Sequence, residues 1–157
     1  MYTKKLIALM AGALTAAAGC RLVPVDETGA AAWTRGYLVS PAAGSPAVMY
    51  LWITNPASRA DTVMAVRVAG ADSAQVHRNM SMGNGMEHMT PVPALPVNAH
   101  DTVRFVPGGL HLMVFGLSPA VRSGDSASVT VTFRNAGDVQ GWARVITYAQ
   151  VDSLVAR

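Results

Sequence analysis

The chain has 157 residues, 51% of them hydrophobic and 13% charged, enough for one domain core and too little for two. Its formal charge of +3 comes without any basic stretch interleaved with aromatics, which argues against nucleic acid as a partner. A single cysteine excludes an internal disulfide and any site built from two thiolates of this chain.

The first segment, MYTKKLIALMAGALTAAAGC, differs in character from all that follows. Lys4 and Lys5 form a positive start, Leu6 to Leu14 an apolar stretch, and Thr15 to Gly19 a run of small residues. Residues 1–19 therefore read as a secretory signal, too short and too abruptly followed by polar chain to span a membrane. The run Ala17-Ala18-Gly19-Cys20 resembles a bacterial lipobox, with Ala17 where that pattern prefers Leu. The resemblance implies cleavage before Cys20 and lipidation of its thiol, hence a lipoprotein on the periplasmic face of a bacterial membrane. Cleavage without lipidation gives the alternative, a soluble periplasmic protein. Lipidation consumes the only thiol, so any metal site must be made from His, Met, Asp or Glu. Loss of the leader also removes both lysines, leaving ten Arg against nine acids and a net charge of +1.

Residues 20–31 read as a tether to the membrane, and residues 32–157 as the domain. Short apolar runs separated by turn signals fill the domain: 48–54, 62–69, 73–77, 86–92, 102–106, 110–117, 126–133 and 142–151. Asn55-Pro56, Gly70, Pro107-Gly108-Gly109, Ser118-Pro119 and Asn135-Ala136-Gly137 punctuate them. No long window after the leader carries a helical stripe. Eight short strands in this pattern predict an all-β fold, an antiparallel β-sandwich or Greek-key barrel.

All four histidines lie between residues 77 and 111, and five of the seven methionines after the leader lie between 80 and 113. In the strand beginning at Leu110, His111 and Met113 are two residues apart and share a face. Leu110, Leu112 and Val114 take the core side. Met80, Met82, Met86 and Met89 surround the turn signal Gly83-Asn84-Gly85, a poor place to bury unbranched apolar side chains. Thioethers are soft neutral donors, which select Cu(I) over divalent ions. Methionine also fills core gaps, and His100, in the turn Asn98 to Asp101, reads as an ordinary surface histidine. It is the clustering of His and Met within one segment that packing alone does not account for.

The segment resembles the periplasmic copper chaperone family often called PCuAC, whose pattern is His, ten residues, Met, twenty-one residues, His-x-Met. Met89 stands twenty-one residues before His111-Leu112-Met113, as in that pattern, while eleven residues separate His77 from Met89. Arg78 stands where the family often has Met. The resemblance extends through Trp33-Thr34-Arg35, Tyr50-Leu51, Thr54-Asn55, Pro91-Val92, Pro107-Gly108-Gly109 and Gly116-Leu117. It implies a cupredoxin-like β-sandwich with His77, Met89, His111 and Met113 as copper ligands. Met80, Met86 and His88 are candidate auxiliary ligands that compete with His77 to complete the site. It further implies delivery of Cu(I) to the copper centre of a respiratory oxidase subunit, with a thiol-based copper chaperone as a further partner.

Other classes fare less well. Blue-copper electron transfer needs a Cys thiolate that the mature chain lacks. No His-Glu-x-x-His, Cys-x-x-Cys or nucleophile with a base partner appears, so no enzyme is expected. Copper buffering or resistance without a dedicated recipient, and a β-sandwich interaction module without metal, remain as alternatives.

Overall fold

The computed structural model describes residues 31–42, 44–81, 83 and 86–155. The signal, Cys20 and all of the tether except Ala31 lie outside these residues, as does Met82. Among the described residues no helix is long and apolar enough to cross a membrane.

Among the described residues there are ten strands: β1 (Ala32–Val39), β2 (Ala47–Asn55), β3 (Asp61–Val68), β4 (Ser73–Ser81), β5 (Glu87–Pro91), β6 (Leu95–Val97), β7 (Asp101–Arg104), β8 (Leu110–Phe115), β9 (Ser126–Phe133) and β10 (Gly137–Ile146). Alternation drives them. In β9, Ala127, Val129, Val131 and Phe133 are buried while the Ser and Thr residues between them face outward. The strands form one sheet in the order β5-β4-β8-β2-β1-β10-β9-β3-β6, with β7 also on β2. The sheet curls into a half-barrel that brings β3 against β4 and encloses the core. The cupredoxin-like all-β expectation is met.

Three local features differ from the sequence reading. The pair β1–β10 is parallel, whereas every other pair is antiparallel. These are the first and last strands, joined by no hairpin, so nothing in the connection imposes an antiparallel sense. Strands β1 and β6 were not foreseen. The last strand starts at Gly137 rather than Trp142 and stops at Ile146. Beyond it, Tyr148–Gln150 forms a 3-10 turn and Val151–Leu154 a short helix. Gln150 Oε1 accepts the Thr147 backbone N–H at 2.9 Å, which starts the turn. Val151 and Val155 are then four apart on one helical face, and both are buried.

Two contacts hold the far side of the barrel. Trp33 points into the core and donates from Nε1 to the Val139 carbonyl at 3.1 Å. Its ring fills a slot floored by glycine: a Cβ on Gly141 would lie 2.6 Å from it, and one on Gly36 3.0 Å. Asp61, at the start of β3, ties that strand to the β9–β10 turn. Its carboxylate accepts the backbone N–H groups of Thr62 at 2.7 Å, Asn135 at 2.9 Å and Ala136 at 2.9 Å, and Asn135 Nδ2 at 3.2 Å. Burial pushes the Asp61 pKa up, but these hydrogen bonds outweigh it and hold the carboxyl below its ordinary value. The stabilisation is therefore present above the unfolded-state pKa and is lost as pH falls through the folded one. Asp61→Ala leaves several donors unpaired and is expected to cost about 2 kcal/mol at neutral pH. Urea melts at neutral and acid pH should show the gap between variant and parent closing with acidification; a gap constant with pH would refute the role.

Candidate metal centre

Strand β4 lies between β5 and β8, and its register assembles the site. His77 is paired with His111 and Gln75 with Met113 across β8. Asn79 is paired with Met89 and His77 with Pro91 across β5. Paired residues share a face of the sheet. His77, Met89, His111 and Met113 thus all project from the outer face. The other side of β8 goes inward: Leu112 and Val114 are fully buried and Leu110 is half-buried.

The two imidazoles are its fixed centre. Their centroids are 6.1 Å apart and the rings lie within 21° of parallel. His111 is 5% exposed, so this polar ring is held almost out of water. Its Nδ1 lies 3.1 Å from the Gly109 carbonyl, and His77 Nδ1 lies 3.3 Å from the Gln75 carbonyl. A carbonyl only accepts, so Nδ1 is the donor in each contact, and it is the neutral tautomer of this arrangement that would offer its Nε2 lone pair to a metal. The Pro107-Gly108-Gly109 turn makes this possible. Gly108 adopts φ 73, and the Gly109 carbonyl also accepts the Asn79 backbone N–H at 3.2 Å. One carbonyl thus orients His111 and locks β4 to β8.

The thioethers flank this pair. Met113, half-buried, and Met89, 45% exposed, are both diagonal neighbours of His77, about 7–8 Å away and within reach of long side chains. Their partners Gln75 and Asn79 are four residues apart on β4, so they approach from ends separated by about 13 Å. Asn79, which the sequence did not single out, shares this face. Its Nδ2 donates to Glu87 Oε2 at 3.3 Å, while its Oδ1 is buried and accepts no hydrogen bond from the described residues. The signal for it was present, since Asn79 is two residues beyond His77 in a strand.

The auxiliary candidates do not join this cluster. Met80 is paired with His88, and both project from the opposite face. The eleven residues between His77 and Met89 explain the outcome. Because His77 opposes Pro91, Met89 falls on the His77 face, whereas a ten-residue spacing would select His88, which faces away. Met86 immediately precedes β5 and is 61% exposed. His100 adopts φ 56 in the turn before β7, apart from the site.

This face thus presents two imidazoles and two thioethers as candidate donors. Among the described residues no group of three or more His, Cys, Asp and Glu gathers in metal-binding geometry. Imidazole and thioether donors in combination suit a soft monovalent ion.

The family model "Putative lipoprotein LpqE-like" matches residues 30–145. No curated protein matches the chain in sequence. Among solved structures, the copper-bound PCuAC domain from PmoF2 superposes with TM-score 0.63 at 26% identity, covering 76% of this chain and 94% of that one. The apo PCuAC domain from PmoF1 gives 0.60 at 23% identity, covering 76% and 95%. The Cu(I) form of DR1885 from Deinococcus radiodurans gives 0.59 at 19% identity, covering 78% and 79%. The fold is that of PCuAC copper-binding domains, and the chain belongs to the LpqE-like lipoprotein family.

Proposed function

We propose that this domain binds Cu(I) at His77 and His111, with Met113 and Met89 as thioether donors, and carries it as exchangeable cargo outside the cytoplasm. The observation that carries the reading is the stacked pair of imidazoles, each with Nδ1 beside a backbone carbonyl, so that Nε2 is the atom left to meet an ion. Likeness to a copper-bound domain supports it. Titration of purified protein with Cu(I) against a competing chelator should show at least one tight equivalent; no uptake would sink the reading. Cys20→Ser belongs in that protein, so that no thiol competes for the ion.

Delivery to the copper centre of a respiratory oxidase is the further step, supported by the resemblance to PCuAC chaperones. In a deletion strain, loss of oxidase activity under copper limitation supports delivery. Copper sensitivity with normal oxidase supports buffering instead. We also propose that the chain is exported and anchored through lipid on Cys20, in keeping with its membership of a lipoprotein family. Cys20→Ser is expected to shift the protein from the membrane fraction to the soluble one; retention in the membrane refutes the anchor.

A further inference from the structure

The β4–β5 hairpin carries soft donors on both faces, and only one face belongs to the site at His77 and His111. We infer that Met80 and His88 form a second, separate site for a soft monovalent ion on the opposite face of this hairpin. The inference rests on the reading of the chain as a Cu(I) binder, and it assigns a second equivalent to residues the first site cannot use.

Register supplies the geometry. Met80 and His88 are direct cross-strand partners. The Val92 N–H donates to the Val76 carbonyl, and Met80 lies four residues further along the same ladder. Met80 and His88 therefore belong to the hydrogen-bonded class of pair, with Cα atoms about 5.5 Å apart. An imidazole and a thioether at that separation can close on one ion. The Met80 sulfur already turns toward the hairpin, with Thr90 Oγ1 4.0 Å from it.

Packing does not account for these side chains. On this face of β4, Ala74 and Val76 pack against the core, but the strand then runs past it through Arg78 to Met80. Met80 is 51% exposed, and His88 is exposed beside it. Methionine so exposed contributes little by burial. Met86, two residues before His88 and 61% exposed, is within chain reach as a third donor.

Charge selects the ion. Arg78 lies on the same face one pair further in, opposite Thr90, while Glu87 is paired with Ser81 on the other face. A cation here meets a thioether, an imidazole and one guanidinium, with no carboxylate in the Met80–His88 and Arg78–Thr90 pairs, an arrangement that penalises a divalent ion more than a monovalent one. Cu(I), or Ag(I) as its redox-inert substitute, fits these conditions.

The test is the stoichiometry of Cu(I) uptake by purified mature protein carrying Cys20→Ser, measured anaerobically against a chelator. The parent should take up two equivalents, the second more weakly. Met80→Leu/His88→Ala should lose the weaker equivalent and keep the tighter one, and His111→Ala/Met113→Ala should do the reverse. Retention of both equivalents in Met80→Leu/His88→Ala overturns the second site. A single equivalent in the parent, unaffected by that variant, overturns it too and leaves the first site standing. No uptake by the parent overturns both.

Discussion

Replacing His111 and Met113 together by alanine is expected to lower Cu(I) affinity at the tighter site by at least about a hundredfold. Loss of a single outer hydrogen-bond partner of a metal ligand already costs about 10–100-fold, and here two donors disappear at once. His77 would remain, flanked by Met89 alone. The substitutions should leave the fold in place, because the core side of β8 is carried by Leu112 and Val114, both untouched. The Gly109 carbonyl loses His111 but keeps the Asn79 N–H, so the lock between β4 and β8 survives. Chelator competition and a thermal melt on the same sample separate the two effects. Unchanged affinity in a folded variant would remove His111 and Met113 from the site.

The second large effect concerns stability. Trp33→Ala should destabilise the domain by about 3–5 kcal/mol, the usual range for emptying a large aromatic site. For a domain of this size that is a fall of about 10 °C or more in Tm. The indole is buried, its N–H is used by the Val139 carbonyl, and its ring occupies the slot between Gly36 and Gly141. The converse substitution, Gly141→Ala, presses a methyl group against the ring and should cost about 1–3 kcal/mol. Adding Gly141→Ala to Trp33→Ala should cost less than adding it to the parent, since the ring it strikes is gone. Strict additivity in a double-mutant cycle would show that the two do not meet.

Much of this was legible in the residues because it depended on local alternation. Val129, Val131 and Phe133 faced the core as their spacing required, and His111 and Met113 shared the outer face for the same reason. Strand β1 was hidden because a bulge between Trp33 and Arg35, followed by Gly36, breaks its alternation. Strand β6 has only three residues, with Pro96 at its centre. Val151 reads equally well as the end of a strand or the start of a helix; its partner Val155 decides the matter only in three dimensions.

The upstream part of the site depended on something spacing alone could not supply. Whether Met89 or His88 faces His77 is set by which residue of β5 opposes His77, and a slip of one residue exchanges them. Only the pairing of His77 with Pro91 separates Met89 from Met80 and His88.

Position in the sheet also divides the donors in time. Strands β4 and β8 are held on both sides, whereas β5 ends the sheet order and is paired on one side only. Fraying of five residues at a margin requires far less free energy than opening an interior ladder, so Met89 is the candidate donor placed to leave first. On the copper reading, the histidine pair and Met113 set how long the ion stays, and Met89 acts as a latch. On that same reading, an incoming ligand from an acceptor would take the place the latch vacates, and transfer would go by exchange of one bond at a time rather than through a free ion.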